Sequence, residues 1–254
     1  MSKWRLIISK DSNPCMNMAV DRALLQAYKV PVLRIYKWKP AGISLGYSQR
    51  AEQVLNLNVC AQNKIAIARR ISGGEAVYHE NDLSYSIVCA RQDLKLPFSV
   101  KQSFKIMASF LIDLYCRFGI RVEFAEQKQY AGVNKKQEID FCLSAVRGFD
   151  LVFKGKKIGG NAQKRTGKKI FQHGFIPITL NFPMIKSLFS ISLDGIEEKT
   201  ISLTQALKTE LKFEYLAEML RNSFARVFNV EFIFDDLNDV ELHLAEQFKN
   251  LGTQ

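Results

Sequence analysis

A glycine-rich string with basic neighbours, RRISGGEAVYH at residues 69–79, is the most unusual local pattern of the 254-residue sequence. Adjacent glycines, here Gly73 and Gly74, let backbone amides approach a ligand without a Cβ in the way, and Ser72 adds a hydroxyl donor. Because an arginine pair precedes these residues and a histidine follows them, the string is a candidate ligand-binding loop. A simple hairpin turn is the alternative interpretation.

A second string, GKKIGGNAQKR at residues 155–165, joins two predicted strands through a turn. A lysine beside a closely approaching backbone is the pattern expected for a carbonyl or phosphate ligand, with a charged hairpin as the alternative. Side chains alternate across a strand, so only one of the two adjacent lysines can serve a pocket. We expect Lys157, rather than Lys156, to project into it.

Cys142 lies in a loop-like stretch, residues 138–147, upstream of that lysine strand. A nucleophilic cysteine needs a lowered thiol pKa, which Lys157 or Arg147 could supply. The remaining cysteines lie among apolar residues on predicted elements, where buried and inert thiols are expected: Cys15, Cys60, Cys89 and Cys116. The cysteines are odd in number and form no C-x-x-C pair, and the histidines are few. Neither a disulfide framework nor a metal site is therefore predicted.

Apolar periodicity predicts the elements that position these strings. Strands are expected near residues 4–8, 32–38, 43–47, 65–69, 76–79, 83–89, 121–125, 149–153, 158–162 and 172–178. Helices are expected at 16–28, 100–118, 214–228 and 240–248, the first with Asn13-Pro14 as its N-cap and first-turn pair. This order predicts an α+β fold in which helices cover one face of a mixed, largely antiparallel sheet. A single domain over residues 1–254 is expected, with a soft boundary near 180–200 and a helical C-terminal part.

The charge of the chain is basic and unevenly distributed. The formal net charge is +11, and residues 101–170 carry 15 basic against 6 acidic side chains, whereas residues 181–254 carry 7 against 12. A basic middle predicts a face that attracts a polyanion, either nucleic acid or the surface of an acidic protein. No stretch approaches the ~20 apolar residues of a membrane span, and the N-terminus lacks the apolar core of a signal peptide. A cytoplasmic protein is expected.

Taken together, several strings resemble the lipoate-protein ligase A and octanoyltransferase family. In the family's order they are NMAVDRALL (17–25), PVLRIYKWKPAGISLGYSQ (31–49), RRISGGEAVYHENDLSYSIV (69–88), GKKIGGNAQKR (155–165) and QHGFIPI (172–178). The resemblance implies a biotin/lipoyl protein ligase-like fold and a pocket for a medium-length acyl chain. The substrate-binding residues that it implies are Arg70, Ser72, Gly73, Gly74, His79, Gly159, Gly160, Asn161, Ala162 and His173.

Within that family, ligases activate lipoate or octanoate with ATP, whereas transferases take an octanoyl group from acyl carrier protein through a cysteine thioester. The position of Cys142, the string HENDLSYS and the short chain most resemble transferases of the LipM type. Glu75 replaces the third glycine of the ligase string. ATP-dependent lipoate ligation, with ATP and Mg²⁺, is the alternative.

The resemblance implies two acyl transfers with Cys142 and Lys157 as catalytic residues. Cys142 would accept octanoyl from acyl carrier protein, and a lysine of a lipoyl domain or glycine-cleavage H protein would then receive it. Lys157 would lower the thiol pKa and orient the carbonyl. No cofactor or metal is expected, and the protein is expected to be a monomer. A nucleic-acid-binding protein is a distant alternative, disfavoured because neither an aromatic stacking pattern nor a helix-turn-helix accompanies the lysines.

Overall fold

The computed structural model describes residues 1–125 and 150–251. Its strands are, in chain order, β1 (Ser2–Ser12), β2 (Val32–Trp38), β3 (Gly42–Leu45), β4 (Ala66–Arg69), β5 (Val77–His79), β6 (Asp82–Ala90), β7 (Glu123–Phe124), β8 (Leu151–Phe153), β9 (Lys156–Lys157), β10 (Gly160–Thr166), β11 (Lys169–Pro177) and β12 (Val230–Phe234). Its α-helices are α1 (Pro14–Gln26), α2 (Ala51–Val54), α3 (Leu57–Gln62), α4 (Val100–Arg117), α5 (Phe182–Leu188), α6 (Ile196–Lys199), α7 (Leu203–Leu207), α8 (Phe213–Phe228) and α9 (Asp239–Leu251).

The central sheet has the spatial strand order β10-β11-β6-β2-β1-β12. The pairs from β10 to β2 are antiparallel, and β1 is parallel to both β2 and β12. Two smaller sheets in the described part of the chain have the orders β4-β3-β5 and β7-β8-β9. The predicted α+β fold with a mixed, largely antiparallel sheet is therefore confirmed.

Alternation along the strands sorts the side chains of the central sheet onto two faces. On one face, Leu33 of β2 and Tyr85 of β6 join an apolar cluster with α4 and α8. On the other, Ile7 of β1 and Val88 of β6 join a cluster with α1 and α9. The prediction that helices cover one face is wrong, because they cover both. Coverage on both faces explains why β6 is buried along its whole length.

Polar side chains fix where the long helices begin. The Asn13 side chain accepts a hydrogen bond from the Met16 amide at 2.8 Å, with Pro14 in the first turn of α1. This arrangement confirms the predicted Asn13-Pro14 cap, which satisfies an N–H group that has no partner within the helix. Ser99 caps α4 in the same way, through the Gln102 amide at 3.3 Å.

Short or interrupted elements account for most of the differences from the sequence prediction. Strand β12 and the helices α2, α3, α5, α6 and α7 were not predicted. The strand predicted over 158–162 is broken at Gly159, whose φ of +142° is a conformation that L side chains rarely adopt. Cys116, predicted to be buried, is exposed near the end of α4. In the described residues, no helix has both the length and the apolar character needed to cross a bilayer.

Candidate functional site

A cavity of about 240 Å³ lies on the face of the central sheet that α1 covers. The predicted site residues that line it are Arg70, Gly73, Gly74, His79, Lys157, Gly160, Asn161, Ala162 and His173. Its apolar wall includes Met18 of α1, Trp38 of β2, Val77 of β5 and Phe175 of β11. The two glycine-rich strings, about 90 residues apart in sequence, therefore meet at one largely apolar pocket.

Arg70 holds the glycine-rich loop in place. Its buried guanidinium donates hydrogen bonds to the carbonyl oxygens of Ser44 (2.9 Å), Gly73 (3.1 Å) and Glu75 (2.6 Å). Gly74 has a φ of +97°, and a Cβ added at Gly46 would lie 1.8 Å from the Gly74 carbonyl oxygen. Both glycines are thus required by the close packing of this loop on the end of β3.

Ser72 and His173 connect the loop to β11. The Ser72 hydroxyl and His173 Nε2 are 2.6 Å apart, and both side chains are buried. Burial lowers the pKa of His173 well below its usual range, and the nearby Arg70 and His79 lower it further. His173 is therefore neutral at physiological pH, and it contributes a polar but uncharged surface to the pocket.

A chain of buried hydrogen bonds runs from Asp82 to Arg70. His79 Nδ1 lies 2.5 Å from Asp82 Oδ2, and His79 Nε2 lies 3.0 Å from Ser44 Oγ. The Ser44 hydroxyl also accepts a hydrogen bond from Arg70 Nη1 at 3.2 Å, so Ser44 connects His79 to Arg70. Trp38 stacks on the His79 ring with a centroid separation of 4.0 Å. The imidazole is thereby held on both its edge and its face.

Lys157 points into the cavity, whereas Lys156 does not. The Lys157 side chain is 2% exposed, and its ammonium forms a 2.8 Å ion pair with Asp150. Lys156 lies closer to the surface and donates to the Glu197 carbonyl oxygen at 3.1 Å. Alternation along β9 sends the two side chains to opposite sides, so that only Lys157 lines the pocket.

Comparison with known proteins shows the family to which the chain belongs. The model of the lipoyl protein ligase A/B catalytic domain matches residues 13–225. The chain belongs to this family. It is 31% identical to octanoyltransferase LipM of Brevibacillus brevis, covering 97% of this chain and 95% of that protein. It is 29% identical to octanoyltransferase LipM of Clostridioides difficile, covering 98% and 97%.

Solved structures of the family share the fold at lower sequence identity. One is a lipoate-protein ligase A bound with ATP, with a TM-score of 0.82, 22% identity and coverage of 98% of this chain and 95% of that one. Another is a bipartite lipoate protein ligase of Thermoplasma acidophilum, described with its E2 lipoyl domain. Its TM-score is 0.80, its identity 20%, and its coverage 98% of this chain and 93% of that one.

Of the predicted site residues, Ser72 and Gly159 lie behind the cavity wall, and Cys142 lies outside the described residues. The Ser72 hydroxyl forms a hydrogen bond with His173, which lines the cavity. Gly159 packs closely against β11, because a Cβ added there would lie 2.5 Å from the Phe175 carbonyl oxygen. Neither of the two residues lines the cavity. Cys142 falls within residues 126–149 and is outside the described part of the chain.

Sequence reasoning missed several polar residues of the pocket wall. Ser44, Glu75, Ser84 and Asp150 all line the cavity. Asp82 bonds to His79 from three residues further along, across the tight turn between β5 and β6. A histidine followed at this spacing by a carboxylate, in the string HEND, was a usable signal for that contact.

A buried polar network supports the pocket from beneath. Arg34 of β2 forms a 2.8 Å ion pair with Asp21 of α1 and donates to the side-chain oxygen of Asn17 at 2.6 Å. Asp21 also accepts from Ser86 (2.8 Å) and from Tyr36 (3.1 Å), whose ring lines the cavity. Burial raises the pKa of Asp21, and Arg34 opposes that rise. The strings NMAVDRALL and LRIYKW are thus joined by one buried polar network beneath the cavity.

The four described cysteines are poorly suited to nucleophilic attack in this cavity. Burial raises the pKa of the Cys15, Cys60 and Cys89 thiols, which reduces their thiolate fraction. Cys116 is exposed on α4, and none of the four lines the cavity. Cys60 and Cys89 are buried, as predicted, whereas Cys15 is half-buried.

Proposed function

We propose that this chain is an octanoyltransferase of protein lipoylation. It takes an octanoyl group from acyl carrier protein and delivers it, through a cysteine thioester, to a lysine of a lipoyl domain or glycine-cleavage H protein. The observation that carries the proposal is the buried Lys157 ammonium in the wall of an apolar cavity, beside the S-G-G loop. The near-complete alignment with proteins named octanoyltransferase LipM supports it.

The charges of the cavity wall favour a neutral thioester over a nucleotide. Two cations, Arg70 and Lys157, and two carboxylates, Glu75 and Asp150, line it, and His173 is neutral. Arg70 donates hydrogen bonds to backbone carbonyl oxygens, and Lys157 forms an ion pair with Asp150. Binding a triphosphate with either side chain would therefore require these contacts to break. The two carboxylates balance the two cations, so these four side chains give the wall no net positive charge to attract that anion. The proposed donor therefore requires neither ATP nor Mg²⁺.

Lys157 and Cys142 share the first transfer. The Cys142 thiolate attacks the thioester carbonyl carbon, a new carbon–sulfur bond forms, and the bond to the carrier's thiol breaks. In this proposal the Lys157 ammonium stabilises the Cys142 thiolate and donates a proton to the thiolate that leaves with the carrier, and pocket amides stabilise the oxyanion. The octanoyl chain, whose burial contributes about 0.8 kcal/mol per methylene, occupies the apolar wall.

The second transfer reverses these roles. The amine of the acceptor lysine attacks the acyl-enzyme carbonyl, an amide bond forms, and Cys142 leaves as a thiolate. The proton lost by the amine passes to Lys157, which had given one up in the first step, so the enzyme returns to its starting state. Asp150, which pairs with Lys157, keeps the Lys157 side chain in position through both steps.

The chain path supports the assignment of Cys142. The Ala125 amide donates to the Asp150 carbonyl at 2.9 Å, so the segment that contains Cys142 starts and ends at neighbouring points. Its second end, Asp150, is itself part of the cavity wall. Seven residues stand between Cys142 and Asp150 in the sequence, so at no more than roughly 3.3 Å per residue the chain length keeps Cys142 within reach of the cavity.

A transfer assay with two donor systems tests the proposal. Octanoylation of a lipoyl domain is measured by mass with octanoyl acyl carrier protein alone, and separately with octanoate, ATP and Mg²⁺. We expect product with the first donor only, loss of product in Cys142→Ser, and retention in the matched Cys60→Ser variant. Product only with ATP, or full activity of Cys142→Ser, would replace the transferase with a lipoate ligase.

A further inference from the structure

An exposed aromatic side chain among basic residues borders the cavity wall. Phe98, just before α4, is 80% exposed, which is unusual for a large apolar ring. The Arg91 guanidinium stacks on it at 3.5 Å, and Arg165 of β10 donates to its carbonyl oxygen at 2.9 Å. The Phe98 patch consists of Arg91, Lys95, Phe98, Lys101, Arg165 and Lys168.

Within the described residues, none of the cations of the Phe98 patch forms an ion pair with a carboxylate. Residues 94–105 and 160–170 contain no aspartate or glutamate. Asp93, the nearest acidic residue in sequence, is occupied by the Tyr28 hydroxyl (2.5 Å) and the Ala90 amide (2.7 Å). Lys95, Lys101 and Lys168 are exposed. A surface with concentrated positive charge around one apolar ring is suited to an acidic partner with an apolar contact at its centre.

The patch is joined to the cavity by direct contacts. Arg165 Nε donates to the side-chain oxygen of Gln163 at 3.0 Å, and Gln163 lines the cavity. Arg165 also bonds to Ser103, which is adjacent in α4 to the lining residue Phe104. A protein seated on the patch would therefore lie next to the Gln163 and Phe104 side of the cavity wall.

We propose that the Phe98 patch is the docking surface for the acidic carrier protein that brings the octanoyl thioester. This assignment rests on the proposed function, since it takes the carrier as the donor. The positive charge speeds the encounter and is screened by salt, whereas Phe98 supplies the apolar contact. The acceptor protein is the competing occupant, and the test separates the two.

The first measurement is direct binding, which requires no acyl transfer. The affinity of acyl carrier protein for the full chain is measured at low and high salt, for the wild type, Lys101→Glu/Lys168→Glu and the matched control Lys3→Glu/Lys212→Glu, which changes exposed lysines outside the patch. We expect about a tenfold weaker Kd in the patch variant at low salt, a smaller salt dependence, and little change in the control. Equal weakening in both variants would overturn the proposal.

The second measurement separates the patch from the chemistry. The rate of enzyme acylation is compared between octanoyl acyl carrier protein and the small neutral thioester octanoyl-pantetheine. The patch variant and Phe98→Ser should slow acylation by the carrier about tenfold and leave acylation by the small thioester unchanged. Equal slowing with both donors, or slowing of the acceptor step alone, would contradict the assignment. Failure of the wild type to accept octanoyl from either donor would instead reject the proposed function, and carrier affinity would still test the patch.

Discussion

The two faces of the central sheet use the same strands for different tasks. Under α4 and α8, residues such as Leu33, Ile87 and Phe110 form an apolar core. Under α1, the alternate positions of the same strands carry Arg34 and Ser86, and the cavity lies on that side. A period of two residues thus separates side chains that stabilise the fold from side chains that build the site.

The cavity face should show the largest effect on turnover. Lys157→Met removes the buried ammonium, and we expect kcat to fall by about 10²–10⁴-fold, the range for a lost acid or base. Lys156→Met, at the half-buried neighbouring position outside the cavity, should keep kcat within about twofold. Steady-state rates with octanoyl acyl carrier protein measure both. Because removal of one partner from a buried ion pair also destabilises a fold, Lys157→Met/Asp150→Asn should recover stability without recovering turnover.

The apolar face under α4 and α8 should show the largest effect on stability alone. Phe224, fully buried against Trp4 and Phe110, should lose about 3–5 kcal/mol of unfolding free energy as Phe224→Ala. Arg34→Met, which breaks the ion pair with Asp21, should cost a similar amount. Denaturant unfolding measures both values. When activity is measured on folded protein, only Arg34→Met should raise KM for the octanoyl donor. An equal rise in Phe224→Ala would show that the two faces of the sheet do not differ in this way.

Gly73 gives a finer probe of the cavity than Gly74. A Cβ at Gly73 meets nothing within 4 Å, whereas Gly74 has a positive φ and a Cβ there would approach Arg70. Gly73→Val should therefore displace one or two methylenes of the acyl chain and raise KM for the octanoyl donor by roughly tenfold. The hexanoyl donor should be affected less. An identical change for hexanoyl, octanoyl and decanoyl donors would place the chain elsewhere.

His173 should give the smallest effect, a slope in the stability of the protein with pH. Its pKa is lowered in the folded state, so the unfolded chain binds a proton near pH 6.5 that the folded protein excludes. Stability is therefore full above that pH and falls as the pH decreases, by up to about 1.4 kcal/mol per unit for one proton. His173→Gln should flatten this slope between pH 6.5 and 5 in urea unfolding, with His243→Gln as the control. An unchanged slope would contradict the assignment of a neutral His173.

The elements that sequence could predict were those with a clear period or cap. The ends of β2, the helices α1 and α8, and the inward position of Lys157 follow from local alternation, helical spacing and the Asn13-Pro14 cap. Strand β12 was missed because Val230–Phe234 follows α8 after a single turn residue, Asn229, whose left-handed conformation redirects the chain. A short strand at a sheet edge has little pattern of its own.

The polar contacts of the site depend on pairing across the fold, which local patterns do not encode. Asp150 meets Lys157, and Ser44 meets His79, only because separate strands bring them together. The glycines could be predicted more easily, because the positive φ of Gly74 favours glycine and the residue type is visible in the sequence. The family strings indicated which segments form the pocket, and the structure shows which charged side chains line it.

Intact-mass analysis of the enzyme with octanoyl acyl carrier protein, without nucleotide and before any acceptor is added, tests the central claim most directly. We expect one octanoyl adduct on the wild-type chain, mapped by peptide mass to Cys142, released when a lipoyl domain is added, and absent or greatly slowed in Lys157→Met. The adduct should form normally in Lys156→Met. An adduct on another residue, or transfer to the lipoyl domain that proceeds without any enzyme adduct, would contradict it.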